Sequence, residues 1–243
     1  MQVATGKSIL NGIAIGPLRI YKKAETQTSQ LSSLTPEEEF ARFDAARVKA
    51  QEQLAGLYDK ALDEVGEDNA AIFEIHQMML EDEDYLDAVK GIIETQNATA
   101  EYAVTTTGEN FSATFAAMED EYMRARAADV KDISRRVVNV LTGQEDADML
   151  AGQPAILVAD DLTPSETVQL DKSKLLGFIT RHGSSNSHTA ILARTMNIPA
   201  LVGVDFDDSW DGKLAVIDGY NSCVYIEPAQ ELLSAMEEKR KGD

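Results

Sequence analysis

Gly12-Ile13-Ala14-Ile15-Gly16-Pro17-Leu18-Arg19-Ile20 is the stretch whose reading decides the architecture. Ile13, Ile15, Leu18 and Ile20 alternate among glycine and proline turn signals, as short strands do. Residues 1–22 read as β, but they hold no partner for these strands. Unpaired backbone donors and acceptors are costly to bury. The next strand-like text begins only after Gly152-Gln153-Pro154. The N-terminal segment is therefore expected to pair with strands from the C-terminal part, which makes everything between an insertion.

That intervening text is helical. Residues 23–35 are polar and read as a linker. Thr35-Pro36-Glu37-Glu38 then supplies an N-cap, a proline at the first helical position and a glutamate at the third. Phe40, Phe43, Val48, Leu54, Leu57, Leu62 and Val65 follow at helical spacing until Gly66. A second helix is expected after Asp68 or Asn69, with Glu81-Asp82-Glu83-Asp84 marking a bend or a new start. Asn97-Ala98-Thr99 precedes a third helix with Phe111, Phe115 and Met118. A fourth runs from about Asp120 to Leu141 and stops at Thr142-Gly143. Short connections predict an antiparallel four-helix bundle over 36–143.

Past residue 144 the pattern is α/β. Runs at 155–159, 175–179, 198–204, 214–217 and 223–226 read as strands, the last two joined through Asp218-Gly219 as a hairpin. The predicted α/β domain comprises 1–22 plus 144–228, and 229–243 reads as a helix leading out of it.

Charge excludes several functions. With 22 Lys+Arg against 42 Asp+Glu the net charge is −20. Such a surface repels nucleic-acid phosphates and anionic membranes and favours a basic protein partner. Cys223 is the single cysteine, so no intrachain disulfide forms, and its apolar surroundings read as core. No apolar run reaches 18 residues and no signal pattern opens the chain, so a soluble cytoplasmic protein without membrane insertion is expected.

The chemistry concentrates at Thr180-Arg181-His182-Gly183-Ser184-Ser185-Asn186-Ser187-His188-Thr189-Ala190-Ile191-Leu192-Ala193-Arg194. A strand leads into a small polar turn and then a helix, with His188 in its first turn. A helix N-terminus presents free N–H donors and partial positive charge, which disfavours imidazolium and favours an anion placed on the ring. A neutral nucleophile that becomes an anionic adduct suits a phosphohistidine. Ser187, Thr189 and Arg194 are candidate phosphate contacts. A capping or surface histidine is the plainer reading of His188 alone. The six-residue separation of His182 and His188, with no cysteine nearby, is poor metal-ligand spacing, and no nucleophile-elbow pattern supports a serine triad.

Ser187 to Arg194, followed by Asn197-Ile198-Pro199-Ala200-Leu201-Val202-Gly203, resembles the phosphohistidine segment of the PEP-utilising enzymes. Ala159-Asp160-Asp161-Leu162-Thr163-Pro164-Ser165-Glu166-Thr167 is similar to the branch formed by Enzyme I of the bacterial PEP:sugar phosphotransferase system. Residues 71–83 and 126–133 resemble its carrier-binding subdomain. The resemblance implies an α/β phosphohistidine domain interrupted by a helical subdomain that docks the carrier HPr. It implies that His188 takes phosphate from PEP through Nε2 and passes it to HPr, with the Thr167 hydroxyl contacting the histidine. It directs Ala71, His76, Met79, Glu83, Asp84, Tyr85 and Arg126 towards HPr, although His76 by itself reads as a packing residue. It also implies that PEP, Mg²⁺ and dimerisation belong to a C-terminal domain outside this stretch, leaving this part monomeric and without a cofactor or metal of its own. The family has Gly-Gly and Thr-Ser where this chain has Gly183-Ser184 and Asn186-Ser187, so an altered loop conformation is expected. Two other readings are a swivelling domain of a pyruvate-phosphate dikinase or PEP-synthase relative, and a non-catalytic acidic adaptor.

Overall fold

A computed structural model describes residues 1–23, 28–144, 149–183 and 188–242, with the side chain of His188 excluded. Three strands open the chain, β1 (Gln2–Thr5), β2 (Lys7–Leu10) and β3 (Ile13–Tyr21). Five helices follow, α1 (Pro36–Val65), α2 (Glu67–Met79), α3 (Glu83–Gln96), α4 (Ala100–Ala116) and α5 (Glu121–Thr142). The remainder runs β4 (Ala155–Ala159), α6 (Pro164–Gln169), β5 (Leu175–Thr180), α7 (His188–Met196), β6 (Ala200–Val202), β7 (Leu214–Asp218), β8 (Cys223–Ile226) and α8 (Gln230–Lys241). The chain divides into two compact units, Met1–Ala24 with Ala147–Asp243, and Glu25–Asp146.

The first unit is built on an eight-stranded sheet of order β1-β8-β7-β3-β4-β5-β6-β2. β3 occupies its middle and changes partner halfway. Ile13–Pro17 pairs antiparallel with β7, and Leu18–Tyr21 pairs parallel with β4. Pro17, which lacks an N–H, falls where one ladder gives way to the other. β1 pairs with β8 and β2 with β6, so every described N-terminal strand finds its partner beyond residue 154, as the opening stretch predicts. β4, β5 and β6 run parallel. β4 is buried along its whole length, the pattern of a strand covered on both faces. Leu18, Ile156, Val158, Ile179, Leu201, Trp210, Ile217 and Val224 fill the core. Cys223 is free and buried. α8 lies against β3, with Lys239 Nζ 4.5 Å from the centre of the Tyr220 ring.

The helical unit forms where the caps predict. Thr35 Oγ1 accepts from Glu38 N at 3.2 Å and Glu38 Oε2 accepts from Thr35 N at 3.0 Å, completing a capping box. Gly66, at φ 85°, ends α1, and α2 starts at once at Glu67, slightly earlier than its sequence suggests. Asp82 caps α3 through Tyr85 N, so the acidic stretch is a new helix start and the bundle's second member is split into α2 and α3. Gly143 closes α5 with a left-handed φ of 70°. The buried stripe of α1 differs from the one read from its large residues. It consists of Phe43, Ala46, Ala50, Leu54, Leu57 and Ala61, while Val48 is exposed. The alanines let neighbouring helices approach, and this the hydrophobic residues alone do not reveal. Residues 28–35 join this unit: Thr99 N donates to Gln30 O and Ser32 N to Asn97 O. Arg42 bonds to both Glu39 and Glu101, and its pKa is raised chiefly by the Glu101 bond.

α4 and α5 pack at close quarters through Gly108. A Cβ there would stand 2.5 Å from Ser134 Oγ and 2.7 Å from Ser134 Cβ. Gly108→Ala is expected to lose up to about 2 kcal/mol of stability in urea unfolding, since overpacking costs ~1–3 kcal/mol and helix propensity returns about 1. A stability gain would show that the two helices can separate freely.

Candidate functional site

The parallel strands β4, β5 and β6 end on one edge of the sheet, and the His188 segment leaves from there. β5 finishes at Thr180, and α7 begins with His188. Arg181 N donates to Ala159 O and His182 N to Asp160 O, so the loop entry is tied to the end of β4. The Arg181 guanidinium stacks 4.1 Å from the centre of the Phe206 ring, donates to Phe206 O at 2.8 Å and pairs with Asp160 and Asp205. One side chain thus braces the segments that follow β4 and β6. The carboxyl edge of parallel strands is where α/β folds place their chemistry.

α7 sets His188 as the first helical residue, at the positive end of the helix dipole. Thr189 follows it and is buried, and among the described residues its Oγ1 has no hydrogen-bond partner. Thr180 Oγ1, at the end of β5, is likewise buried without one. A buried hydroxyl left unsatisfied is uncommon, and both occur at the ends of the His188 loop. Thr167 is buried on α6, a helix that packs against α7. Its hydroxyl donates to Pro164 O at 2.7 Å, which leaves its lone pairs able to accept. Thr163 and Glu166 form a second capping box that starts α6. The Thr-Pro-Ser-Glu pattern at 163–166 carried that signal in the sequence, as Thr35-Pro36-Glu37-Glu38 did for α1. Arg194 falls in the last turn of α7, about 9 Å of axial rise beyond His188. A cation there complements the helix dipole. Ser187, like Ser184, Ser185 and Asn186, lies outside the described residues.

A second feature belongs wholly to the helical unit. A groove of about 510 Å³ is lined by Ile75, Met78, Met79, Phe111, Phe115, Tyr122 and Arg126, with Asp82, Asp84 and Tyr85 also in its wall. Met78 and Tyr122 are exposed. Of the residues read as carrier-facing, Met79, Asp84, Tyr85 and Arg126 meet at this groove. Glu83 is exposed beside Asp84 in the first turn of α3. Ala71 is half-buried on α2, away from the lining. One assignment needs correction. His76 is completely buried, with Nε2 3.0 Å from Asp129 Oδ1, and cannot touch a partner at the surface. Tyr85 is almost as enclosed; its hydroxyl exchanges a 2.8 Å hydrogen bond with Ser134 Oγ, and burial pushes its pKa up to about 12. His76 contributes to the packing behind the groove, because its position on α2 faces α5, while Tyr85 belongs to the groove wall. Phe111, Phe115 and Tyr122 were not read as site residues. Their helical spacing signals packing, and only the arrangement of α2, α4 and α5 shows that these rings line an open surface.

Comparison with known proteins places these features in a family. The model of the PEP-utilising enzyme N-terminal region matches residues 5–126, and that of the PEP-utilising enzyme mobile domain matches residues 151–222. The PEP-protein phosphotransferase of Bacillus sp. (strain S) is 37% identical over 238 residues, which cover 97% of this chain and 41% of the relative. That of Bacillus subtilis (strain 168) is 36% identical over 245 residues, covering 100% of this chain and 43% of the relative. The chain thus spans about two fifths of the length of these relatives. An NMR solution structure of Enzyme I is similar at a TM-score of 0.77 and 32% identity, covering 98% of both chains. The N-terminal domain of Enzyme 1 - Nitrogen is similar at a TM-score of 0.64 and 26% identity, covering 98% of this chain and 99% of the other.

Proposed function

The chain belongs to the PEP-utilising enzyme family, and from that premise we propose that it is the phosphohistidine-bearing, HPr-docking part of an Enzyme I of the sugar phosphotransferase system. The phosphoryl group originates from PEP, rests on His188 and passes to a histidine of HPr. The observation that carries this reading is the place of His188, first residue of α7 at the carboxyl edge of three parallel strands. A neutral imidazole is a nucleophile, and a helix start favours the neutral ring and the anionic adduct together.

In the exchange with phospho-HPr, the Nε2 lone pair of His188 attacks phosphorus in line. A P–N bond to His188 forms as the P–N bond to the HPr histidine breaks, and the departing electron pair returns to that imidazole. The reverse sequence delivers phosphate to HPr. Such transfers need alignment and stabilisation of charge spread over the phosphoryl oxygens. The positive end of the α7 dipole supplies that stabilisation, and the Thr189 and Thr167 hydroxyls are further candidates. Among the described residues no group of three or more His, Cys, Asp and Glu side chains is arranged to hold a metal.

HPr docks, in this proposal, on the groove of the helical unit. Met78, Met79, Phe111 and Phe115 offer apolar contact, and Asp82, Glu83 and Asp84 offer negative charge to a basic carrier face. No helix of the described residues is long and apolar enough to cross a membrane; a cytoplasmic location fits the proposed pathway. The test is to incubate the chain with purified phospho-HPr and, separately, with PEP and Mg²⁺ alone. The first should label it with an acid-labile phosphate, and the second should leave it unlabelled. Absence of labelling by phospho-HPr would remove the proposal.

A further inference from the structure

We propose that Asp129 and His76 are positioning residues that hold the Arg126 guanidinium at the groove, where it donates to a hydrogen-bond acceptor on the docked HPr. This rests on the docking reading above and deepens it. Arg126 is the one cation among the described residues that line the groove, in a wall otherwise apolar or acidic. Its orientation is over-determined. Its NH1 group donates to Asp129 Oδ2 at 3.3 Å, its guanidinium carbon lies 4.6 Å from the centre of the Tyr122 ring, and its NH2 group donates to the Tyr122 hydroxyl.

Asp129 is itself fixed from the other side. His76 Nε2 stands 3.0 Å from Asp129 Oδ1. A carboxylate oxygen accepts and does not donate, so Nε2 carries the proton. Among the described residues His76 Nδ1 has no hydrogen-bond partner, and Asp132 Oδ2 stands 3.9 Å from it. With Phe73 edge-on at 6.1 Å, the ring is enclosed on α2 while the carboxylate it orients belongs to α5. Each Asp129 oxygen therefore has one partner: a buried imidazole behind and the guanidinium in front. The guanidinium has five N–H donors. Asp129 and Tyr122 engage two, and the others are available to an acceptor in the groove. A basic carrier face is drawn by the rim acids, and a fixed donor at Arg126 then selects the orientation that brings a carbonyl, amide or carboxylate oxygen opposite it. The buried histidine read as carrier-facing acts, in this account, from inside.

The experiment measures HPr affinity by calorimetric titration for the unmutated chain, Arg126→Ala, Asp129→Asn, His76→Gln and the Arg126→Ala/Asp129→Asn pair. It also follows the Arg126 Nε–Hε resonance by NMR. Arg126→Ala and Asp129→Asn should each weaken HPr binding about tenfold, the scale of one lost charge-assisted bond. The double variant should be no weaker than Arg126→Ala, and the Arg126 resonance should shift in Asp129→Asn and return in part in Asp129→Glu. Additive losses, or an Arg126 resonance unmoved in Asp129→Asn, would overturn the proposal. If His76→Gln unfolds the unit, the near-isosteric Asp129→Asn carries the test by itself. An unmutated chain that fails to bind HPr would instead sink the docking reading.

Discussion

Replacing His188 by alanine should abolish acid-labile phosphorylation by phospho-HPr while leaving HPr docking intact. Alanine offers no ring nitrogen, the neighbouring Thr189 hydroxyl cannot form a phosphoramidate, and the exposed His182 precedes α7. A phosphoramidate is cleaved by acid and survives base, whereas a serine or threonine phosphate does the opposite, so the two are separable chemically. The expected loss is complete rather than partial. The groove proposed for docking is formed entirely by residues of the helical unit, between Ile75 and Ile133, so affinity for HPr should not change. Alanine is also a good helix former, so a change in stability within about 1 kcal/mol is expected. Labelling that persists in His188→Ala would move the phosphohistidine elsewhere. Lost docking together with lost labelling would mean that the substitution had damaged more than the chemistry.

The second large effect concerns encounter. Changing Glu83 and Asp84 together to lysine should slow HPr association by about tenfold or more at low ionic strength. The difference should shrink as salt rises, because exposed charges are screened beyond about 10 Å at 0.1 M. Both residues are exposed in the first turn of α3, and Asp84 lines the groove. The same position complicates the variant. Carboxylates in a first turn suit the positive end of the helix, and lysines there cost about 0.3–1 kcal/mol each. Glu83→Gln with Asp84→Asn removes charge without that penalty and should show an intermediate rate. Stopped-flow association across a salt series decides the matter. A rate unaffected by either pair would place the partner on another face.

Much of this molecule could be read from local chemistry. The capping boxes at Thr35 and Thr163, the left-handed Gly143 and the Asp218-Gly219 hairpin are properties of a few adjacent residues, and such patterns act over distances the sequence displays directly. The place of His188 at the start of α7 is of the same kind, a small polar turn between a strand run and a helix pattern. The buried face of α1 was less legible, because alanines at 46, 50 and 61 signal nothing until the neighbouring helix is known. The carrier-facing set was legible only in part. Met79, Asp84, Tyr85 and Arg126 meet at the groove, but His76 carries a different lesson: helical spacing fixes which residues share a face, and packing decides whether that face is interior.

The sequence by itself determined the succession of β, helical and α/β segments, the helical nature of the insertion and the position of the histidine proposed to carry phosphate. The unpartnered β text at Ile13 to Ile20 required long-range pairing, because backbone hydrogen bonds must be satisfied somewhere. Only the tertiary structure decided where β3 changes from an antiparallel partner to a parallel one, and that Phe111, Phe115 and Tyr122 open a groove beside Arg126. It alone joined His76 to Asp129 across 53 positions of chain. Contacts between α2 and α5 are set by the packing of whole helices, and a linear pattern records the face each helix offers, not the face it meets.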